Sequence, residues 1–296
     1  KSIRLGQYCY VMVGATLHSK DKVSFKKNDV VSHYPTGNAK AFFDGKTLFR
    51  YEIKFDNRFL DYKQDLMYGP RVPELFDKPK IVIRKVTEKN EGLVVAYDQD
   101  GLYCDDRIIC VTPYQNIEGT GAQTEFEGYP HLKGDIPGLS YTLGLLASSL
   151  ITWYFKAVFA TGTLQGSYSD TYPKQVRAFP IRYIRSNTPI ERRSDLLNKS
   201  KELFQGSIID SASIIEFVES RLTADLEESD VIHDLIGFLA EQMVQMFKDK
   251  NEEINKFLKF LENEIGTSID VLSNKTVIKE YYNYDFNNLV EVLTKN

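Results

Sequence analysis

From Ile3 to about Tyr114 the chain alternates short β-branched and aromatic runs with clusters of Gly, Pro, Asn and Asp, among them YCYVMVG, TLFRYEIKF, KIVIRKV, LVVAYD and LYCDDRIICVTP. This is the pattern of strands separated by turns. In KIVIRK, Ile81 and Ile83 fall on one face and Val82 and Arg84 on the other, with Lys80 and Lys85 flanking, because side chains alternate along a strand. Just upstream, Pro70 and Pro73 fix two backbone angles, and Leu75 and Phe76 are placed to plug into a core. Asp100-Gly101 separates LVVAYD from LYCDDRIICV; both residues tolerate left-handed angles, so a hairpin of two antiparallel strands is predicted there. A loop rich in Gly, Glu and Gln (115–138) leads to one buried apolar helix over Tyr141 to Ala160. The loop TGTLQGSYSDTYPKQ then closes on a last strand, VRAFPIRYI.

At NTPIERRSDLL the grammar becomes helical: Thr188, Pro189 and Glu191 stand where an N-cap, a first-turn proline and a capping-box carboxylate belong. Ser213 and Glu216 repeat the box. Ile232, Leu235, Ile236, Leu239, Met243 and Phe247 share one helical face, which Ile254, Phe257, Leu258, Leu261 and Ile265 continue until Gly266 offers a stop. The expected fold class is therefore α+β. Residues 1–186 form a twisted, β-rich domain with a few helices, and residues 187–296 form an α-helical region.

At 296 residues, 42% hydrophobic and 26% charged, the chain is long enough for two domains with real cores. Its charge is split. Residues 1–186 carry 25 Lys and Arg against 20 Asp and Glu, a net +5, whereas residues 187–296 carry 12 against 21, a net −9. The basic part suits nucleic acid; the acidic part would be repelled by phosphate and suits protein contacts. Cys9, Cys104 and Cys110 are odd in number and lack CxxC spacing, which argues against a disulfide framework or a four-ligand zinc site and fits a reducing cytoplasm. The run Tyr141 to Ala160 contains Ser, Thr and Lys156, so it fits a buried helix rather than a bilayer span, and no membrane partner is expected. The N-terminus KSIRLGQYCYVMVG has no signal core and no methionine and is read as part of a longer chain.

Familiar catalytic signatures are missing: no GxGxxG, P-loop, HExxH or GxSxG occurs, and His18, His33, His131 and His233 are scattered without metal-ligand spacing. Nor is there an Asn-Pro-Pro-aromatic or Asp-Pro-Pro-aromatic run. Asp105-Asp106 beside Arg107 is the nearest candidate for a nuclease site, but adjacent side chains of a strand point to opposite faces and do not converge on one ion. Neither catalytic nor metal-binding residues are assigned. Arg71 could pair with Glu74 or present its planar fork to phosphate or a guanine edge.

Four pieces in order, FLDYKQDLMYGPRVPELFDKPKIVIRKV, LVVAYDQDGLYCDDRIICVTP, YTLGLLASSLITWYF and TYPKQVRAFPI, resemble the TaqI-like C-terminal specificity domain over about Phe59 to Ile181. That family supplies the target recognition domain of adenine-N6 DNA methyltransferases in fused restriction-modification enzymes. LGLLASSLITWYF is similar to the family's LLNSKLLNYYY-type helix, with Ala147 and Ser148 in place of the usual start of its Asn-Ser pair. More weakly, LGQYCYVMVGATLHSKD and GTLQGSYSDTYPKQVRAFPI are similar to the opening and closing segments of type I restriction specificity subunits.

The resemblance implies a reader of double-stranded DNA in a restriction-modification or phage-defence system. Catalysis and S-adenosylmethionine would belong to an upstream methyltransferase domain or partner subunit, with Mg2+ needed if the parent also cuts, and no cofactor in this chain. DNA-facing residues are then expected in two loops: Thr16, His18, Ser19 and Lys20 in the first, and Thr163, Gln165, Tyr168 and Lys174 in the second, followed by Arg177. Arg71, Lys80 and Arg84 complete the expected set. Lysines and arginines would hold phosphates and the loops would specify sequence. Two other readings are a protein-interaction module acting through the acidic helices and a nuclease fragment with a diverged acidic site.

Overall fold

A computed structural model describes residues 2–19, 22, 25–88, 91–159, 168–206 and 211–295. The first strands are β1 (Ser2–Arg4) and β2 (Cys9–Val13). Next come α1 (Lys27–Val30), β3 (Val31–Ser32), β4 (Lys40–Phe43), β5 (Leu48–Phe49), β6 (Glu52–Ile53) and β7 (Arg58–Leu60). The chain continues through α2 (Glu74–Asp77), β8 (Lys80–Arg84), β9 (Val86–Glu88), β10 (Val95–Asp98), β11 (Tyr103–Cys104) and β12 (Ile108–Pro113). Then follow α3 (Leu139–Leu146), α4 (Ser149–Val158), β13 (Tyr168–Asp170), α5 (Pro173–Arg177) and β14 (Pro180–Arg182). The helical region comprises α6 (Ile190–Gly206), α7 (Ala212–Leu222), α8 (Ser229–Ile265), α9 (Lys275–Lys279) and α10 (Phe286–Thr294). The fold is α+β.

The centre is an antiparallel sheet in the order β10-β8-β12-β2. Alternation along its strands feeds two separate cores. Val11, Ile81, Ile83, Val95, Ile109 and Val111 face α3 and α4, where Leu143, Leu146, Ile151 and Phe155 are buried with them. Tyr10, Val82, Ala96, Ile108 and Cys110 face a second sheet, β11-β4-β7-β3, which supplies Phe42, Phe43, Leu60, Tyr103 and Cys104. Leu75 and Phe76 of α2 anchor in this second core as expected, without exposure, and Phe76 stacks on Tyr103 at 4.5 Å. The closing segment pairs with the N-terminus, Ile181 opposite Ile3. All three cysteines are free and buried.

Four sequence expectations are corrected. Asp100-Gly101 does turn, with Gly101 at φ +73, but it does not close a hairpin: β8 lies between β10 and β12. The Asp98 carboxylate accepts the N–H groups of Asp100 and Leu102 at 2.9 and 3.0 Å, and this turn sends the chain across to β11, which pairs in parallel with β4. The single apolar helix is two. Ser148 Oγ accepts the Ile151 N–H at 3.1 Å and donates to the Leu145 carbonyl at 2.6 Å, ending α3 and capping α4 in the same stroke. Thr188 does not cap α6; its N–H and hydroxyl donate to Asp230 at 2.8 and 2.6 Å, tying the start of α6 to the start of α8. Ser213 likewise lies inside the first turn of α7, behind Ser211.

The chain divides into two compact units, Lys1–Val244 and Gln245–Asn296. Within the first, α8 packs on α3: His233 Nε2 accepts the Gly138 N–H at 3.0 Å, the His233 ring lies 4.5 Å from that of Tyr141, and Ala240 joins the helix-side core. The second unit holds the last turns of α8 with α9 and α10 around Leu261, Ile269, Ile278 and Leu289. Gly266, at φ +69, ends α8 where expected. Among the described residues, no helix is long and apolar enough to cross a membrane.

Candidate nucleic-acid interface

Strand β2 is an edge of the central sheet, bonded on one side to β12 only. Residues two apart on a strand aim their carbonyls the same way, and the outward pair here is Val11 and Val13. Arg177 Nη1 donates to the Val11 carbonyl at 2.7 Å, and Arg71 Nε donates to the Val13 carbonyl at 3.0 Å. Two arginines separated by most of the domain in sequence thus close one strand edge, about 7 Å apart along it. The Arg177 guanidinium also lies over the Phe126 ring at 4.0 Å. Glu74 does not pair with Arg71. Among the described residues neither arginine has a carboxylate partner, their bonds going to backbone carbonyls. Burial lowers the pKa of Arg177 from the usual guanidinium value, yet arginine stays charged at neutral pH, so among the described residues these two half-buried cations have no counter-charge.

The register gathers the described parts of the two expected loops, Thr16 to Ser19 and the chain from Tyr168, at one end of this sheet, where β2 and β8 finish and β10 and β12 begin. Beyond β2, Ala15 bridges to Asp105, and Thr16 exchanges backbone hydrogen bonds with Gly69 at 2.9 and 3.0 Å, which draws Tyr68 to the same end. Beyond β8, the chain enters β9, which pairs with β13, and Thr171 N donates to the Lys85 carbonyl at 2.8 Å. Three cations that were not among the expected site residues stand here. Lys22 lies over the exposed Tyr68 ring at 5.0 Å, Lys85 over the exposed Tyr172 ring at 5.6 Å, and Arg107 is exposed. A cation held on the face of an aromatic ring is presented to solvent without losing its charge to a carboxylate. The signal for them was not local, since Lys22 and Tyr68 are 46 residues apart.

The other expected residues divide. Thr16 Oγ1 donates to Asp106 at 3.3 Å, the Ser19 carbonyl accepts the Lys22 N–H at 3.2 Å, and His18 Nδ1 is buried without a partner among the described residues. Lys174 is exposed on α5, the helix that carries Arg177. Tyr168 opens β13 opposite Glu88. Lys20, Thr163 and Gln165 lie outside the described residues. Two assignments are corrected. Lys80 is not at the surface: its ammonium is fully buried against Asp98 and donates to the Phe76 carbonyl at 2.6 Å, because its strand partner supplies the counter-charge. Arg84 is taken up by Glu91 at 3.0 Å, by the Leu48 carbonyl and by the Phe49 ring.

The acidic pair does not converge. Asp105 is buried on Lys27 at 2.7 Å, with Asp44 and Arg58 completing the cluster, while Asp106 turns to Thr16. Among the described residues no three His, Cys, Asp or Glu side chains are grouped to hold a metal ion.

No curated protein matches the chain. Residues 40–181, which hold β8, β10 and β12 of the central sheet, β4, β7 and β11 of the second, and α3, α4 and α5, match the TaqI-like C-terminal specificity domain, the family that the four sequence pieces resemble.

Proposed function

We propose that residues 1–186 read DNA sequence for an adenine-N6 methyltransferase whose catalytic domain lies upstream, and that residues 187–296 dock on that domain or on a partner subunit. The match over residues 40–181 supports the first half of this reading. The observation that carries it is the pair of unneutralised arginines on the β2 edge, Arg71 and Arg177, beside a sheet end that presents Lys22, Lys85 and Arg107. A duplex laid along that edge brings phosphates to cations that have no carboxylate partner among the described residues. Thr16, Ser19 and β13 then face a groove.

In this division of labour phosphate contacts hold the duplex in register and the loops discriminate bases. Methyl transfer and its S-adenosylmethionine belong to the upstream domain, and no residue of this chain is assigned to either. The acidic character of residues 187–296, net −9, keeps that region off the phosphates and favours a protein contact. The test is fluorescence anisotropy of labelled duplex titrated with the chain across a salt series. Affinity falling linearly in log salt, with a preferred sequence recovered from a random pool, is the expected result; no binding at low salt refutes the reading.

A further inference from the structure

Helix α4 exposes what its sequence says should be covered. Ile151 and Phe155 face the core, yet Leu150 and Trp153, three residues apart and therefore on one face, are each 65% exposed. Trp153 is the only tryptophan of the chain. A bare apolar stripe of this kind marks a contact surface. Its surroundings identify the contact. Thr152, next to Trp153, packs so closely on Gly92 that a Cβ at Gly92 would lie 2.6 Å from Thr152 Cγ2. Gly92 lies in the β9–β10 connection, beside Glu91, which holds Arg84 at the last position of β8. The middle of α4 therefore sits at the sheet end that gathers Lys22, Lys85 and Arg107. Helix α4 also carries no Asp or Glu, and its one charged residue is Lys156, three positions after Trp153 and exposed.

We infer that Trp153, backed by Leu150, is a wedge that stacks on the bases of bound duplex, at a site separate from the β2 edge. An apolar side chain inserted at a base step opens the stack and bends the duplex, bringing more phosphate onto the protein. An aromatic face gains stacking energy with any base. The inference rests on the DNA-reading proposal, but its test fails separately.

With one tryptophan, intrinsic fluorescence excited beyond tyrosine absorption reports on this position alone. The full chain is titrated with the tightest duplex selected from a random-sequence pool, following anisotropy of the DNA label and tryptophan emission together. The expected result is quenching that saturates with the anisotropy, and an affinity about tenfold lower for Trp153→Ala, with Trp153→Phe losing less. The thermal midpoint of Trp153→Ala stays at the parent value, because the side chain is exposed and makes no core contact. Binding without quenching, or with unchanged affinity in Trp153→Ala, overturns the wedge while leaving DNA reading intact, and assigns the face to a protein contact. Failure to select any duplex overturns both.

Discussion

Lys80 and Asp98 are register partners on β8 and β10, and neither side chain has any exposed surface. Asp98 is held further by the N–H groups of Asp100 and Leu102, so the pair fixes both the β8–β10 register and the turn leaving β10. Burial works to raise the Asp98 carboxyl above its usual range, and Lys80 opposes it. Removing one partner leaves the other charge buried. Lys80→Ala is expected to cost about 3–5 kcal/mol in denaturant unfolding, and Lys80→Met with Asp98→Asn less than the single change. Folded Lys80→Ala binds DNA as the parent does, which separates it from the surface lysines.

Arg71→Ala and Arg177→Ala each strip a donor from an outward carbonyl of β2, Val13 and Val11 respectively. Water can replace the donor, so each is expected to cost about 1 kcal/mol of stability. Each lowers the slope of log affinity against log salt by about one phosphate contact. Arg177→Lys keeps that slope but loses the planar stacking on Phe126. A salt slope unchanged in both alanine variants would remove the edge from the interface.

Lys22→Ala, Lys85→Ala, Arg107→Ala and Lys174→Ala are expected to weaken binding to all sequences alike, each by about one unit of salt slope. Arg84→Ala, whose charge is already matched by Glu91, leaves the slope unchanged and loses stability instead. Thr16→Ala is expected to change preference among duplexes by about 1–3 kcal/mol at one base position, read from competition between single-base variants of the selected site.

Gly14 follows β2, and a Cβ there would lie 2.5 Å from the carbonyl oxygens of both Asp105 and Cys104. Gly14→Ala must push the first loop away from the Asp105 bend, at an expected cost of about 2 kcal/mol or more. Gly121→Ala, with nothing within 4 Å of its Cβ, is the neutral control. Comparing their thermal midpoints checks the close approach that brings the first loop to the sheet end.

Asp234 lies between Arg193 and His233. Burial alone would raise its carboxyl, but hydrogen bonds from His233 and Arg193 hold it down to about 2. A carboxyl depressed in the folded state contributes stability that is complete above its ordinary value and is lost as pH falls through the folded one. Asp234→Asn is therefore expected to cost about 2 kcal/mol at neutral pH, a difference that shrinks between about pH 4 and pH 2 in denaturant titrations.

The chain by itself determined what periodicity and backbone chemistry can specify. Alternation in KIVIRK placed Ile81 and Ile83 on one face and Val82 on the other, and both faces proved to be cores. The apolar stripe of α8 and its stop at Gly266 were equally local, as was the anchoring of Leu75 and Phe76. The specificity-domain resemblance was legible because its pieces keep their order from about Phe59 to Ile181, inside the matched residues 40–181.

Only the tertiary structure decided which charges remain free. A lysine at a strand end reads as basic surface until its partner strand is known, and Asp98, 18 residues on, neutralises Lys80. The turn at Asp100-Gly101 could announce a reversal but not the insertion of β8 between β10 and β12. Arg71 and Arg177 became one feature because both reach the same edge strand, and Lys22 met Tyr68 because Thr16 bridges to Gly69. Local pattern reports which face of an element is apolar; the counter-charge of a side chain and the neighbour of a strand are set by residues that only folding brings near.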